Sequence, residues 1–104
     1  MSEMQTEAEY TKHLNTKFRV VVDVPQPIDL TLVSVTPRKI EPHEQAGMER
    51  FSAMFMGPSK IFLPQQTYRL SHPEMGEFDI FLVPLGQEPE GFRYEAVYNY
   101  YRED

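Results

Sequence analysis

The 104-residue sequence contains no cysteine and no tryptophan, and only five glycines. Without cysteine there is no disulfide framework, no thiol nucleophile, no thiolate metal ligand and no iron–sulfur cluster. That absence is compatible with any redox compartment. All five glycines stand singly, so neither the dinucleotide-binding G-x-G-x-x-G nor the phosphate-cradling P-loop can be written. Positive charge is scarce as well: ten Lys and Arg against sixteen Asp and Glu give a formal net charge of −6. The cations are scattered, with Arg38-Lys39 the one adjacent pair. No basic patch is available to neutralise phosphates, which argues against nucleic acid and against an anionic membrane surface as partner. No apolar run approaches the roughly 18 residues that a membrane span needs. The stretch Met1–Glu7 is polar and acidic, where an export signal would be basic and then apolar. A soluble, cytoplasmic domain is the expectation.

What is present is a globular mixture, with 40% hydrophobic and 25% charged residues. Seven Phe and six Tyr carry most of the bulk. The length fits a single domain over 1–104 with one core. Thr6-Glu7-Ala8-Glu9 has the form of a capping box, with Glu7 and Glu9 at the positive end of the helix dipole and Lys12 and His13 at the negative end. This predicts a short helix over 6–14, stopped near Asn15. Two turns are marginal alone, so Tyr10 and Leu14 are expected to dock on the rest of the fold.

From there a β region runs over 17–101, followed by a short tail at 102–104. Phe18, Val20, Val22 and Val24 alternate with Arg19, Val21 and Asp23 until Pro25-Gln26-Pro27 ends the strand. Ile28, Leu30 and Leu32 share one face, then Val33 and Val35 the other, a phase slip that predicts a bulge near Leu32-Val33. Residues 38–47 read as a connection broken by Pro42 and Gly47. Phe51, Ala53 and Phe55 alternate with Ser52, Met54 and Met56 up to Gly57-Pro58. Ser59–Gln66 is a loop whose Ile61, Phe62 and Leu63 suggest partial packing inward. Thr67–Ser71 is a short strand with Tyr68 and Leu70 on one face. Phe78–Leu85 is almost continuously apolar, which predicts burial on both faces. A turn over Gly86–Gly91 then leads to a last strand, Phe92–Tyr101. Connections this short favour antiparallel neighbours. The expected fold is mainly β: about six antiparallel strands in a small sandwich or partly closed barrel, its one N-terminal helix plugging an open end or covering a sheet edge.

Candidate chemistry is sparse. His13, His43 and His72 fall roughly thirty residues apart, with none of the close spacings of a metal-binding pair. Ser71 and His72 are adjacent, but neighbours on a strand point to opposite faces and do not make a dyad. His72 before Pro73 reads as a turn residue. Glu74, Glu77 and Asp79 cluster, as do Glu88 and Glu90, yet both groups fall in or beside turns where solvent keeps carboxylates ordinary. No catalytic, cofactor-binding or metal-binding residue is expected, and no cofactor.

The C-terminal strand is the most unusual stretch. Phe92, Tyr94, Ala96, Tyr98 and Tyr100 share one face, and Arg93, Glu95, Val97, Asn99 and Tyr101 the other. Tyr94 belongs to a core, whereas Tyr98, Tyr100 and Tyr101 fit either a core or a contact surface. Met54 and Met56 pose the same question, because they oppose the Phe51/Phe55 face. The candidate partner-contact set is therefore Met54, Met56, Tyr98, Tyr100 and Tyr101.

Several of these stretches form an ordered series: Phe51-Ser52-Ala53-Met54-Phe55, Gly57-Pro58, Leu63-Pro64-Gln65-Gln66-Thr67-Tyr68, His72-Pro73 with Gly76, Phe81-Leu82-Val83-Pro84, and Tyr94-Glu95-Ala96-Val97-Tyr98-Asn99. The series resembles a family of small uncharacterised bacterial domains with an F-S-x-x-F, G-P, L-P-Q-x-T-Y, H-P-x-x-G, F-L-V-P, Y-E-A-V-[FY]-N pattern. Gln66 stands where that pattern has Gly, and Tyr100–Asp104 lies beyond it. The resemblance implies no reaction or cofactor; it is similar to accessory proteins of phage-tail-like gene contexts, which implies an assembly role. The residues and the resemblance together lead to the expectation of a non-enzymatic binding or assembly module that self-associates, as a homo-oligomer, or docks on a protein partner. The alternative is a small-molecule-binding β-barrel, and an enzyme comes last.

Overall fold

The computed structural model describes residues 5–37 and 48–101. A helix α1 (Glu7–Lys12) precedes six strands: β1 (Lys17–Val20), β2 (Ile28–Pro37), β3 (Met48–Gly57), β4 (Gln66–His72), β5 (Gly76–Glu88) and β6 (Gly91–Tyr101). They form one sheet in the order β1-β2-β3-β6-β5-β4, with β4 returning to β1, so the sheet closes in a ring. Every pairing is antiparallel. The ring is two three-stranded meanders joined edge to edge, β3 along β6 and β1 along β4. The β3–β6 seam is long, from Met48↔Tyr101 to Gly57↔Phe92. The β1–β4 seam is short, with Arg19↔Ser71, Val20↔Leu70 and a last bond from the Val21 N–H to the Arg69 carbonyl at 2.8 Å.

Closure gives every strand one inner and one outer face, and the period-two pattern sorts residues between them. Phe18, Leu30, Leu32, Phe51, Ala53, Phe55, Leu70, Leu82 and Tyr94 are fully buried inside. The expected bulge is found: the β2–β3 register shifts between Leu32 and Ser34, at Val33. Gly57 lies flat against Leu30 and Tyr94, where even a methyl group would stand 2.8 Å from Leu30 Cδ2.

Three expectations need correction. The apolar run Phe78–Leu85 is buried on one face only: Phe78, Ile80 and Leu82 point in, whereas Phe81 and Leu85 are about half exposed (50% and 48%). Among the described residues the sheet is a single ring, with no second layer over its outer face. The first strand stops at Val20 rather than Val24, and Val21, Val22 and Val24 are exposed. Alternation reports apolar spacing but not whether a partner strand lies alongside. The helix ends at Lys12, and Leu14, in the following turn, is exposed instead of docked. Asn15 adopts φ 67°, a left-handed conformation that Asn tolerates and that turns the chain into β1. Residues 38–47 and 102–104, with His43, lie outside the described residues.

The two ends of the ring are covered differently. At one end α1 acts as a plug. Its capping box is present, with Thr6 Oγ1 accepting from the Glu9 N–H and Glu9 Oε1 accepting from the Thr6 N–H. Its first N–H, of Glu7, donates to Glu49 Oε1 on β3 at 2.9 Å. Tyr10 is buried with its ring centroid 5.6–6.3 Å from those of Phe18, Phe51, Phe55, Phe78 and Tyr98. At the other end the β3–β4 connection, residues 58–65, crosses the opening. Leu63 is buried there, and its N–H donates to the Tyr94 hydroxyl at 2.9 Å. The Tyr68 hydroxyl donates to the Pro64 carbonyl at 2.6 Å. No described helix is long and apolar enough to cross a membrane.

Candidate functional site

The polar groups that the fold gathers lie at the plugged end. The Tyr10 and Tyr98 hydroxyls meet at 2.7 Å inside the ring. Tyr98 donates its one proton to Gln5 Oε1 at 3.1 Å, so Tyr10 is the donor in the Tyr10–Tyr98 bond. Tyr100 donates to the Gln5 carbonyl at 2.6 Å. Burial holds the Tyr10 hydroxyl far above the ordinary tyrosine pKa, and the Tyr98 hydroxyl adds to the effect. Burial raises Tyr98 too, against the opposing influence of the bond from Tyr10. These are neutral structural hydroxyls.

The direction of this chain makes the two phenols unequal. In Tyr98→Phe the buried Tyr10 hydroxyl loses its acceptor, which costs about 1–3 kcal/mol. In Tyr10→Phe the Tyr98 hydroxyl keeps Gln5, and the cost is about 1 kcal/mol or less. Urea unfolding of both single variants and the double variant checks the order; equal losses would contradict the assigned direction.

Beside the phenols lies a histidine pair that the sequence does not announce. His13, the C-cap of α1, and His72, the last residue of β4, bring their rings to 4.6 Å between centroids. Phe18 packs on the other side of His72 at 4.4 Å. His72 is buried (5% exposed) rather than at the surface, and its two nitrogens are both engaged. Nδ1 accepts the N–H groups of Glu74 and Met75, at 3.1 and 3.2 Å. Nε2 lies 3.0 Å from Thr16 Oγ1, whose own proton goes to the His13 carbonyl at 2.6 Å. One tautomer satisfies all four bonds: neutral His72 with its proton on Nε2. Burial lowers its pKa, and nearby His13 lowers it further, while Glu74 works the other way. His13 Nδ1 is 3.3 Å from Glu74 Oε1. His72 thus acts within the turn as an Asx-type cap, accepting the two amides that Pro73 leaves behind it.

Two histidines and a glutamate have the composition of a metal site, but not its geometry. Nδ1 of His72 faces backbone donors and Nε2 a hydroxyl, and among the described residues no group of three His, Asp or Glu is placed to hold an ion. Ser71 points to the other face of β4. Glu77 and Asp79 are about half exposed and pair with Arg69, at 3.7 and 3.0 Å. Glu88 pairs with Arg93 at 3.1 Å. The carboxylate clusters are therefore solvated ion-pair partners on the wall of the ring.

The candidate contact residues separate. Tyr98 is buried, stacked on Phe51 at 4.6 Å and 6°, and presents almost no surface to a partner. Tyr100 is half-buried, its hydroxyl directed back at Gln5. The backbone of Tyr101 ends β6; its side chain lies outside the description. Met54 and Met56 point outward from β3 and are half-buried. Met54 stands between Ser34 and Glu95, and Met56 between Thr31 and Arg93. At the rim of this wall is an open depression of about 350 Å³, lined by Met56, Pro27, Pro58, Lys17, Asp29 and Glu90 among others.

The fold and its plugged end define a closed antiparallel β ring with a helical stopper. The chain belongs to the family described as a domain of unknown function (DUF6916), whose model matches residues 6–98. The match runs from the helix cap Thr6 to Tyr98, the partner of Tyr10, and so spans the ring and its plug. No curated protein and no solved structure matches the chain.

Proposed function

We propose that this domain is a non-enzymatic binding or assembly module, an adaptor or accessory protein of a bacterial, phage-tail-like setting that works in the cytoplasm by self-association or by docking on a protein partner. The observation that carries this reading is the occupied interior. Among the described residues, the inward positions of the six strands are taken by buried side chains and both ends are covered, which leaves recognition to the outer wall. A ligand-binding barrel needs the cavity that these side chains fill.

The outer wall is uneven, and that favours one side. Across β1–β2 and β4–β5 it carries cross-strand ion pairs, Arg19–Asp29 at 2.7 Å and Arg69–Asp79 at 3.0 Å, a pattern that discourages association even though Phe81 and Leu85 of β5 are half exposed. Around β3, on the opposite side of the ring, it carries Met54 and Met56 between Thr31 and Ser34 of β2 and Arg93 and Glu95 of β6, with Val97 exposed on β6. Methionine is adaptable at contact surfaces. The contact wall is β2–β3–β6.

The test is the native mass of the full chain at high concentration, together with lysate capture, for the parent and for Met54→Glu/Met56→Glu. The expected result is a mass above the 12.2 kDa protomer, or a retained partner, that the double variant loses while it unfolds within a few degrees of the parent. A strictly monomeric parent that retains nothing, or association that survives the double substitution, would overturn the proposal.

A further inference from the structure

We propose that the His13–His72 contact is an acid-sensitive latch between the plug helix and the β4–β5 turn, and that protonation of His72 opens this end of the ring. The geometry leaves a second proton no place. An imidazolium has two donors and no acceptor. Protonated His72 would keep its Nε2–H bond to Thr16 but lose both bonds at Nδ1, and the new proton would point at the Glu74 and Met75 amide hydrogens. Those two N–H groups hold the turn that presents Glu74 to His13.

The groups that face His72 act in opposite senses. From the end of α1, His13 repels a positive His72. From the turn, Glu74 attracts it, but its carboxylate is largely exposed (73%) and so heavily screened. Phe18 of β1 supplies an apolar, desolvating face. Burial and His13 therefore oppose the proton, and Glu74 offsets them only weakly.

The latch is also where the chain is tied twice. Thr16 receives His72, donates to the His13 carbonyl, and through its own carbonyl accepts the Leu32 N–H at 3.1 Å; the Asn15 N–H donates to the Leu32 carbonyl at 2.7 Å. Loosening His72 thus loosens the joint between α1 and β2, and with it Tyr10. The sign follows from linkage. A histidine whose pKa is lower in the folded state leaves stability intact above about 6.5, its unfolded value, and withdraws it as the pH falls below that.

Amide hydrogen exchange of the full chain, expressed as protection relative to intrinsic rates from pH 7.5 to 5, tests the latch. Protection at residues 10–16 and 74–75 is expected to fall below about pH 6.5, with a slope approaching the one-proton limit of about tenfold per pH unit. Amides of the β3–β6 seam, such as Ala53 and Ala96, keep theirs. In His72→Asn, whose amide oxygen can accept the same two N–H groups without titrating, the local pH dependence disappears. A uniform loss across the ring, or a pH dependence that survives in His72→Asn, would overturn the latch. Nitrogen shifts of the His72 ring give a readout that needs no variant: a proton on Nε2 at pH 7.5 supports it, and a proton on Nδ1 refutes it.

Discussion

Gly91→Ala is expected to cost at least about 3 kcal/mol, near the upper end for a single substitution and a large share of the roughly 5–15 kcal/mol that holds a domain of this size. Gly91 opens β6 at φ 152°, a conformation that residues with a side chain rarely adopt. Its backbone passes directly over the end of β3. A Cβ there would sit 1.9 Å from the Gly57 carbonyl oxygen and 3.1 Å from the Gly57 carbonyl carbon. Those are backbone atoms, so no rotamer change relieves the clash, and the hairpin has to move away from the β3–β6 seam. Gly76→Ala is the matched control. Gly76 has φ 79° but nothing within 4 Å of the added atom, so its cost is the conformational part alone, about 1–2 kcal/mol. Urea midpoints of the two variants separate strain from collision. Equal losses would show that the close approach of Gly91 to Gly57 is absent.

Tyr10→Ala is expected to lose about 3–5 kcal/mol, the range for emptying a fully buried aromatic position. The ring of Tyr10 touches five other aromatic rings on four different strands, and a helix of six residues has little stability apart from that contact. The loss therefore includes the docking of α1 as well as the cavity. Loss of the α1 signal in circular dichroism before the sheet unfolds would accompany it. A loss below about 1.5 kcal/mol, smaller than any ordinary aromatic truncation in a core, would mean that α1 is not a plug.

Much of this was legible locally. Thr6 and Glu9 specify the helix start because a capping box needs only four consecutive residues. The shift from Leu32 to Val33 marks a bulge because the side-chain period in a strand is fixed at two. What escaped depends on closure. Phe81 and Leu85 look like core residues in a run that also contains Phe78, Ile80 and Leu82; only the single-layered ring shows that half the run faces out. Tyr98 and Tyr100 share a face with Tyr94, but the depth of each is set by α1 arriving from the other end of the chain.

The histidine pair is the clearest case. His13 and His72 are far apart in sequence, with no spacing rule to join them. A signal was nevertheless present in their positions. One ends the helix and the other ends the strand before a Pro-containing turn, so a helix that plugs the ring brings both to the same rim. The Met54/Met56 question also changed form. The two residues do lie on the outer face, as alternation requires, half-buried and flanked by the polar cross-strand neighbours Ser34, Glu95, Thr31 and Arg93.

Among the described residues the ring is filled from within and stoppered by Tyr10, which leaves its outer wall for the contacts proposed above. Nuclear Overhauser contacts of the Tyr10 ring and hydroxyl in the full chain test it most directly. Contacts are expected from Tyr10 to the Phe51, Phe55 and Phe78 rings, with a Tyr10 hydroxyl proton that exchanges slowly enough to be observed. A Tyr10 ring without those contacts, its hydroxyl in free exchange with water, would mean an open ring with an accessible interior, and α1 would not be its plug.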